Sequence, residues 1–369
     1  MAEPLKNSFG PEVATRVAEK IESVLRDFDR ASFLEVALDG YDDLELTDRA
    51  KRISDALAAT LPGNRTRAIE IVTESLGPDI GEAELTGLGS FVYLPMVYFV
   101  AEHGLDCFET SMLAQYELTK RFTAEFSIRA FLERYPVESL ERLAKWARDP
   151  NVHVRRLVSE GTRPRLPWAR RLRGFQRDPA PVLELLEVLK DDPEEYVRRS
   201  VANNLNDISK DHPELVVEVA TAWWTGAGPE RKKLVRHALR ALVKAGDPGA
   251  LEVLGYGPDS PVQVRSVLCE PEEVAIGGKV RITAELLNPT DREAAALVDL
   301  RVHFVKKSGA TSPKVFKGAE LALGPAQAAT VRKTISVAQH TTRKHYPGEH
   351  RVELLLNGVT HPGAAFEVV

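Results

Sequence analysis

The segment NVHVRRLVSEGTRPRLPWARRLRGFQR, Asn151 to Arg177, combines residues that suit the binding of a polyanion with one that does not. It contains eight arginines and a single acidic residue, Glu160, with a tryptophan, Trp168, eight residues further along. Arginine side chains neutralise phosphate groups and hydrogen-bond to them. They would also keep a neighbouring carboxylate ionised, because positive charge favours the charged form of an acid. The segment therefore indicates a polyanion-binding surface that holds one charged carboxylate.

Helices and an internal repeat carry this segment. Apolar residues recur at spacings of three and four from residue 10 to about residue 247, which predicts helices. ARDPNVHVRRLVSEG at 147–161 aligns with KDDPEEYVRRSVANN at 190–204, and GPERKKLVRHALRAL is a third copy. Helix pairs of about 40 residues with Val-Arg in the second helix resemble HEAT repeats, which stack into a solenoid with the second helices on the concave face. We expect the Asp of each Asp-Pro to cap the second helix and the Pro to lie in its first turn.

Each second helix has two stripes of side chains. The spacing predicts a buried stripe, whose members are Val154, Val158, Gly161, Val197, Val201 and Leu205. The concave stripe carries Arg156 and Glu160 in one repeat, Arg199, Asn203 and Asp207 in the next, and His237, Ala241 and Ala245 in the third. Taken alone, an acid here is equally well a solvated residue or half of an intrahelical ion pair, which contributes only a few tenths of a kcal/mol. We expect Arg155 and Arg198 to make salt bridges between repeats.

The pattern changes at Pro261. From there, apolar and polar residues alternate in short runs that are separated by GG, NPTD and SGATSP, which predicts six or seven short strands. That number in about 110 residues describes a β-sandwich of the immunoglobulin type, without the Cys…Trp…Cys signature of antibody domains. The predicted fold class is mainly α, with a HEAT-like helical-repeat solenoid at 1–258 followed by an immunoglobulin-like β-sandwich at 259–369.

Composition and charge narrow the class of protein. The hydrophobic content of 43% and the charged content of 28% are ordinary for a globular chain. No apolar run approaches the about 20 residues that span a bilayer, and no secretory signal is evident. Residues 1–120 have 11 basic and 22 acidic side chains, whereas residues 121–245 have 24 basic and 18 acidic. We expect a monomeric, reduced, cytoplasmic and nucleoid-associated protein whose middle region and C-terminal segment meet the polyanion.

Three segments carry a resemblance to a known family. RFTAEFSIRAFL, WARDPNVHVRRLVSEGTRPRLPW and RRSVANNLNDISKDHP resemble the DNA alkylation repair proteins of the HEAT-like-repeat superfamily, and more narrowly the AlkC branch with a C-terminal immunoglobulin-like domain. The resemblance implies a monofunctional DNA glycosylase that excises cationic 3-methyladenine and 3-methylcytosine from double-stranded DNA. By motif it implies catalytic roles for Glu125 in FTAEFS, Glu160 in SEGTRP and Asp207 in NDISKD, and contact of Trp168 in RLPW with the lesion or sugar.

A glycosylase activity of this kind would explain why a carboxylate lies among arginines. An N3-methylated base is already cationic, so its glycosidic bond is weak and the leaving group needs no proton. What remains is to stabilise a sugar with oxocarbenium character and to activate water, and carboxylates can do both. An aromatic face can hold a cation. Trp168 could instead be a lid packed on the solenoid, and the whole chain could be a non-enzymatic HEAT-repeat scaffold that binds nucleic acid or protein. Only the glycosylase hypothesis requires Glu125, Glu160 and Asp207 to converge on one point with Trp168 beside them.

The remaining expectations concern the DNA backbone and metals. The cations expected to bind phosphates are Arg156, Arg163, Arg165, Arg199, Lys210, Arg343 and Lys344. The last two lie in TTRKHY, and with Lys306 and Lys307 they lead us to expect that the β-sandwich contacts DNA; the alternative is a domain that only caps the solenoid. No cofactor and no metal are expected, because His340, His345 and His350 have a spacing that fits neither a helix face nor a strand face.

Overall fold

The computed structural model describes residues 9–78, 88–339 and 344–369. These ranges form α-helices up to residue 253 and β-strands from residue 263 onward, so the predicted order of a mainly α chain followed by a β-sandwich is confirmed. The chain divides into two compact units, an N-terminal unit that ends at Asp211 and a C-terminal unit that begins at His212. The predicted domain boundary near residue 258 follows the change from helices to strands and stays a prediction. Among the described residues, no helix has the length and apolar character needed to cross a bilayer.

The helices of the N-terminal unit are connected by short turns. They are α1 (Glu12–Glu22), α2 (Arg30–Leu38), α3 (Leu46–Thr60), α4 (Arg65–Glu74), α5 (Leu94–His103), α6 (Phe108–Thr119), α7 (Ile128–Arg134), α8 (Pro136–Trp146), α9 (Val152–Gly161), α10 (Arg173–Arg177), α11 (Ala180–Leu189) and α12 (Glu195–Ile208). Short 3₁₀ helices lie at Tyr41–Asp43 and Leu88–Tyr93.

Helices α9 and α12 pack against each other, and the predicted apolar stripe of both helices is buried. All six of its members are buried, which confirms that prediction. A polar contact adds to the packing, since the Asn204 amide donates to the Ser159 carbonyl (2.8 Å) and to the Thr162 hydroxyl (3.1 Å). Gly161 permits a close approach of α7, because a Cβ atom there would lie 2.5 Å from Cγ2 of Ile128. The ends of α9 and α12, which carry two of the predicted acids, are therefore held side by side.

The expected role of Asp-Pro as a helix start is wrong for α9 and α12. The N-cap of α9 is Asn151, whose side chain accepts from two backbone amides, and α12 begins after Glu194. Asp149 and Asp192 instead accept from the backbone N–H two residues later, at 2.8 and 2.9 Å, and so shape the turn before each helix. The Pro that follows each Asp therefore lies in this turn and outside the helix.

The two arginines expected to bridge repeats make different contacts. Arg155 on α9 makes a bidentate pair with Asp192 of the next repeat (Nε–Oδ2 2.6 Å, Nη2–Oδ1 3.1 Å). The pair is mostly buried, so the prediction of an inter-repeat salt bridge is confirmed for Arg155. Arg198 donates to the carbonyls of Asp192 and Pro193, which ties α12 to the turn that precedes it.

The C-terminal unit joins four helices to the sandwich. Its helices are α13 (Pro213–Trp224), α14 (Pro229–Ala238), α15 (Arg240–Ala245) and α16 (Pro248–Val253). Its strands are β1 (Gln263–Glu270), β2 (Glu273–Val274), β3 (Lys279–Leu287), β4 (Ala294–Val305), β5 (Thr311–Leu323), β6 (Ala328–Ser336), β7 (Gly348–Leu356) and β8 (Val359–Val368). One sheet has the order β1-β3-β6 and the other β2-β8-β7-β4-β5. The described residues thus form eight strands, one more than the upper prediction, because the two-residue β2 is too short to show an alternating pattern.

The hairpin turn between β7 and β8 packs on the turn after α15. Asn357 and Gly358 both have positive φ (48° and 79°), as a two-residue hairpin turn of this type requires. The Asn357 side chain accepts from the Leu297 amide (2.8 Å) and donates to the Gly257 carbonyl (2.9 Å). A Cβ atom at residue 358 would lie 2.6 Å from Cδ1 of Leu251 and 3.2 Å from the Gly246 carbonyl oxygen. This turn fixes the sandwich to α15 and α16 within the unit.

We therefore expect Gly358→Ala to destabilise the protein by about 2 to 3 kcal/mol, because backbone strain and a steric clash add together. Gly309→Ala is the matched control: Gly309 also has positive φ (78°), but an added Cβ meets nothing within 4 Å. Urea unfolding followed by circular dichroism measures both. Equal losses of stability in the two variants would show that strain alone acts and that the packing of this turn contributes nothing.

Candidate active site

Three buried or half-buried carboxylates in the N-terminal unit are linked by two arginines. In order, the residues of this carboxylate–arginine chain are Glu125, Arg156, Glu160, Arg163, Asp207 and Lys210. The successive N–O distances are 2.5, 3.5, 2.6, 2.8 and 2.9 Å. The structure thus brings together the three acids that the motifs predict, from three separate parts of the fold. It does so through cations, because no two carboxylates are neighbours in the series.

Each carboxylate is oriented by its own element. Glu125 lies in the turn between α6 and α7 and accepts from the hydroxyl of Thr123 at 2.9 Å. Glu160 is in the last turn of α9, where one oxygen accepts from Arg163 and the other from the hydroxyl of Ser200 on α12, both at 2.6 Å. Asp207 is in the last turn of α12, and its side chain is only 3% exposed. These hydrogen bonds leave the acids few alternative rotamers.

The electrostatics of the carboxylate–arginine chain keep Glu160 charged. Burial acts to raise the pKa of Glu160, but the guanidinium groups of Arg156 and Arg163 outweigh it and hold this pKa below its usual range. Burial likewise acts to lower the pKa of the two arginines, and the facing carboxylates outweigh it and raise both. The ring of Tyr196 lies 5.4 Å from the Arg156 guanidinium and covers it. Glu160 is therefore a carboxylate, and not a carboxylic acid, at neutral pH.

A cavity of about 330 Å³ opens beside two of the acids. Glu125, Glu160 and Arg163 line its polar side. Aromatic residues also line the cavity, and these are Phe91, Tyr98, Phe122, Phe126 and Trp168. Asp207 does not line the cavity and reaches it only through Arg163. A cavity lined by both aromatic rings and carboxylates is suited to a flat organic cation.

Trp168 lies on a loop, and its own backbone conformation is strained. Its side chain is 71% exposed, so the indole is not packed into the core, and its φ of 64° is rare for a residue with a bulky side chain. Arg129, which is 4% exposed, holds this loop through hydrogen bonds to the carbonyls of Gly161, Arg163 and Arg170 (2.5 to 3.1 Å). Burial lowers the pKa of Arg129 to about 10, so it stays protonated at neutral pH.

Comparisons with known proteins agree with this geometry. A family model described as "DNA alkylation repair enzyme" matches residues 112–241, and one described as "Uncharacterised protein YhaZ, C-terminal Ig-like domain" matches residues 263–369. The uncharacterized protein YhaZ of Bacillus subtilis (strain 168) is 33% identical over 365 residues, which is 99% of each chain. The Pseudomonas fluorescens alkylpurine DNA glycosylase AlkC, solved bound to DNA containing an abasic site analog, is 35% identical over the whole of both chains with a TM-score of 0.90.

The chain belongs to the DNA alkylation repair family. Its structure is that of an AlkC-like DNA repair glycosylase, with the C-terminal immunoglobulin-like domain that the sequence predicts. The resemblance carried by the three quoted segments is therefore confirmed.

Most of the cations predicted to bind the DNA backbone have protein partners in this AlkC-like fold. Arg156 and Arg163 each pair with two acids of the carboxylate–arginine chain, and Lys210 pairs with Asp207. Arg165 makes a bidentate pair with Asp211 (2.9 and 2.5 Å). Arg199 is exposed and forms no ion pair with any residue that the structure describes, and Lys344 is exposed as well. Arg343 lies outside the described residues.

The predicted phosphate contacts left out several arginines of the polyanion-binding segment, and sequence reasoning missed two residues that orient the site. The loop after Trp168 and α10 carry Arg170, Arg171, Arg173 and Arg177, which are exposed and make no ion pair within the described part of the chain. Their signal was the arginine content of ARRLRGFQR. Ser200 aligns with Leu157 in the repeat, and a polar residue at a buried repeat position is a visible signal. The sequence signal for Arg129 was weaker, and it consisted of an arginine among the apolar residues of SIRAFL.

Of the three histidines weighed as metal ligands, His345 and His350 are core residues of the sandwich. His345 packs edge-on against Phe304 (5.3 Å) and His350 stacks on Phe366 (5.1 Å), while His340 lies outside the described residues. In the N-terminal unit, Asp55, Glu102 and His103 bring ligand-type atoms within 4.8 Å of one another. Both acids are exposed, and we assign no ion to them.

The depressed pKa of Glu160 has a consequence for stability. A carboxylate with a lowered folded-state pKa stabilises the fold above its unfolded-state pKa of about 4.3, and this contribution is lost as the pH falls through the folded-state value. We expect Glu160→Gln to cost about 3 kcal/mol at pH 7, because it leaves two buried arginines less well paired, and less at pH 3.5. Urea unfolding at both pH values measures the difference.

The control for this experiment is Glu187→Gln. Glu187 is an exposed acid that pairs with Lys190 on the surface of α11, so its loss should cost less than about 0.5 kcal/mol at either pH. A destabilisation by Glu160→Gln that stays constant or grows as the pH falls would contradict a low pKa for Glu160.

Proposed function

We propose that this protein is a monofunctional DNA glycosylase that hydrolyses the N-glycosidic bond of cationic alkylated bases, 3-methyladenine and 3-methylcytosine, in double-stranded DNA. The observation that carries the proposal is the convergence of Glu125, Glu160 and Asp207, linked by Arg156 and Arg163, beside an aromatic cavity. A non-enzymatic scaffold would have no reason to hold three acids and two arginines together, because burying charged groups costs several kcal/mol per ion.

The cavity supports a cationic substrate. A methylated base carries its positive charge over a flat ring, which can contact the aromatic rings and the carboxylates at once. Trp168 is exposed at the mouth and is free to meet a base or its sugar. The volume of about 330 Å³ is at the lower end of the range for small-molecule sites, about 300 to 1,000 Å³.

The chemistry follows from the charge states. When the bond breaks, its electron pair leaves with the base, which becomes neutral, and the sugar takes on oxocarbenium character. An ionised carboxylate stabilises that developing charge, and one of the acids accepts the proton of the attacking water. Because Glu160 is deprotonated at neutral pH, it has no proton to give to a neutral base. The proposed substrates are therefore bases that are already cationic.

Asp207 tests the proposal. We expect Asp207→Asn to lower base release by about 10² or more, because a positioned charge is lost, while affinity for DNA stays the same or rises slightly. The assay is single-turnover release of 3-methyladenine and 3-methylcytosine from methylated duplex DNA, with DNA affinity and thermal stability measured on the same preparations.

Asp211→Asn is the matched control, since Asp211 lies four residues further along and pairs with Arg165 outside the carboxylate–arginine chain. It should excise within about threefold of the wild type, because no acid of the chain is removed. Normal excision by a folded Asp207→Asn variant would remove Asp207 from the site. Absence of any base release by the wild-type protein would refute the glycosylase.

We further propose that the exposed arginines around Trp168 bind the phosphates. Arg170 and Arg171 follow Trp168 in the same loop, and their guanidinium groups are not engaged by described acids. Phosphate binding needs such cations, whereas the internal arginines of the chain already have partners. The predicted contact of Lys344 and the β-sandwich with DNA stays a prediction.

The double variant Arg170→Ala/Arg171→Ala should weaken binding to an unmodified duplex about tenfold or more. The slope of log affinity against log salt should also fall by about 1.8, because two phosphate contacts release fewer counterions. Fluorescence anisotropy over a range of salt concentrations measures both values. Arg148→Ala, which removes an exposed arginine after α8, serves as the control. If Arg148→Ala lowers the slope by as much per arginine removed as the double variant does, the loop has no special role in binding DNA.

A further inference from the structure

The C-terminal unit contains a second cavity, of about 550 Å³, between the α14–α15 helices and strands β4 and β5. It is lined by cations from three elements, which are Lys233, Arg236, Arg240, Lys244 and Lys317. Asp299 and Glu320 are the acidic residues that line it. Positive charge is therefore in excess among the described lining residues, and a concave cluster of cations selects anions.

The floor of this cavity is apolar. Leu254, Tyr256 and Leu297 line it and belong to one small hydrophobic cluster. Val243 and Val315 complete the apolar side. A cavity lined by both cations and apolar side chains suits an amphipathic anion better than a bare inorganic ion.

The two acids oppose the cations unequally. Glu320 accepts from Lys317 (2.8 Å) and from the hydroxyl of Tyr256 (3.2 Å), so its charge is already compensated. Asp299 is buried and accepts from the Gly318 amide at 3.2 Å. Burial raises the pKa of Asp299, which makes it easier to protonate when a second anion is near. Lys244 is exposed and forms no ion pair with a described residue.

The walls of the cavity are held in place. The Asn357–Gly358 turn packs against Gly246 directly after α15, and the Arg236 guanidinium stacks 5.1 Å from the ring of Trp224. Because the cations stand on packed helices and strands, their geometry is fixed before a ligand arrives, and binding costs less conformational entropy.

We propose that this cavity binds a nucleotide unit, with its phosphate on the cations around Lys244 and its apolar part on the floor formed by Tyr256 and Leu297. Several lysines and arginines around one point match the charge and the acceptor oxygens of a phosphate. The nucleotide unit comes either from a DNA strand or from a free nucleotide, and the two sources share this chemistry. The inference does not depend on the glycosylase activity, because none of its residues belongs to the carboxylate–arginine chain.

The test uses the full chain and two probes, deoxyadenosine 5′-monophosphate by calorimetry and an unmodified 20-base-pair duplex by anisotropy. Lys244→Ala should weaken binding of at least one probe about tenfold. Asp299→Asn should strengthen binding of the same probe, because it removes a charge that repels phosphate. Glu320→Gln should strengthen it as well, because it releases the Lys317 ammonium from its pair. Opposite effects of substitutions in one cavity cannot both come from misfolding.

The outcomes separate the sources. An effect on the mononucleotide identifies a site for free nucleotides, and an effect on the duplex alone identifies a site for the DNA strand. Arg332→Ala, which removes an exposed cation from β6 outside the cavity, should change neither probe. The proposal is overturned if Lys244→Ala affects neither probe, if Arg332→Ala has the same effect, or if the acid variants weaken binding. Because no base release is measured, failure here leaves the glycosylase proposal standing.

Discussion

Carboxylates that lie close together in a buried region repel one another unless cations stand between them or they take up protons, and this constraint organises the N-terminal unit. Arg156 and Arg163 meet it by alternating with the acids. For the alternation to form, α9 and α12 must end side by side, and the turn before α7 must reach them. The apolar stripe and the contacts of Asn204 provide the first condition. The buried Arg129 then shapes the loop that leaves the end of α9.

Much of the fold follows from sequence periodicity alone. The stripe through Val154 and Val197 predicted which face of each repeat helix is buried, and the alternation after Pro261 predicted a sandwich. The misplaced helix starts have a local cause: a side chain such as Asp149 can shape a turn just as well as it can cap a helix. Propensity does not distinguish the two roles, because both use the same acceptor and a nearby backbone amide.

The site was predictable only in part. Glu125, Glu160 and Asp207 were found through motifs, but the division of the arginines was not. Whether a guanidinium is free depends on acids that lie far away in sequence, such as Asp211 for Arg165. Spacing along one helix cannot show this. Only the assembled fold separates the arginines that hold the site together, such as Arg163, from those that remain available to a partner, such as Arg170.

The loop that presents Trp168 is held by hydrogen bonds from Arg129, and the residue with positive φ at its tip is Trp168 itself and not a glycine. Because Arg129 grips main-chain carbonyls, the path of the loop depends little on which side chain stands at its tip. The tip is therefore a modular position. A tyrosine, a histidine or an asparagine placed there would be displayed at the same spot, over the same cavity. Under the proposed function, residue 168 is therefore a single position at which an engineer could exchange the side chain that meets the base, on a loop whose main chain Arg129 holds.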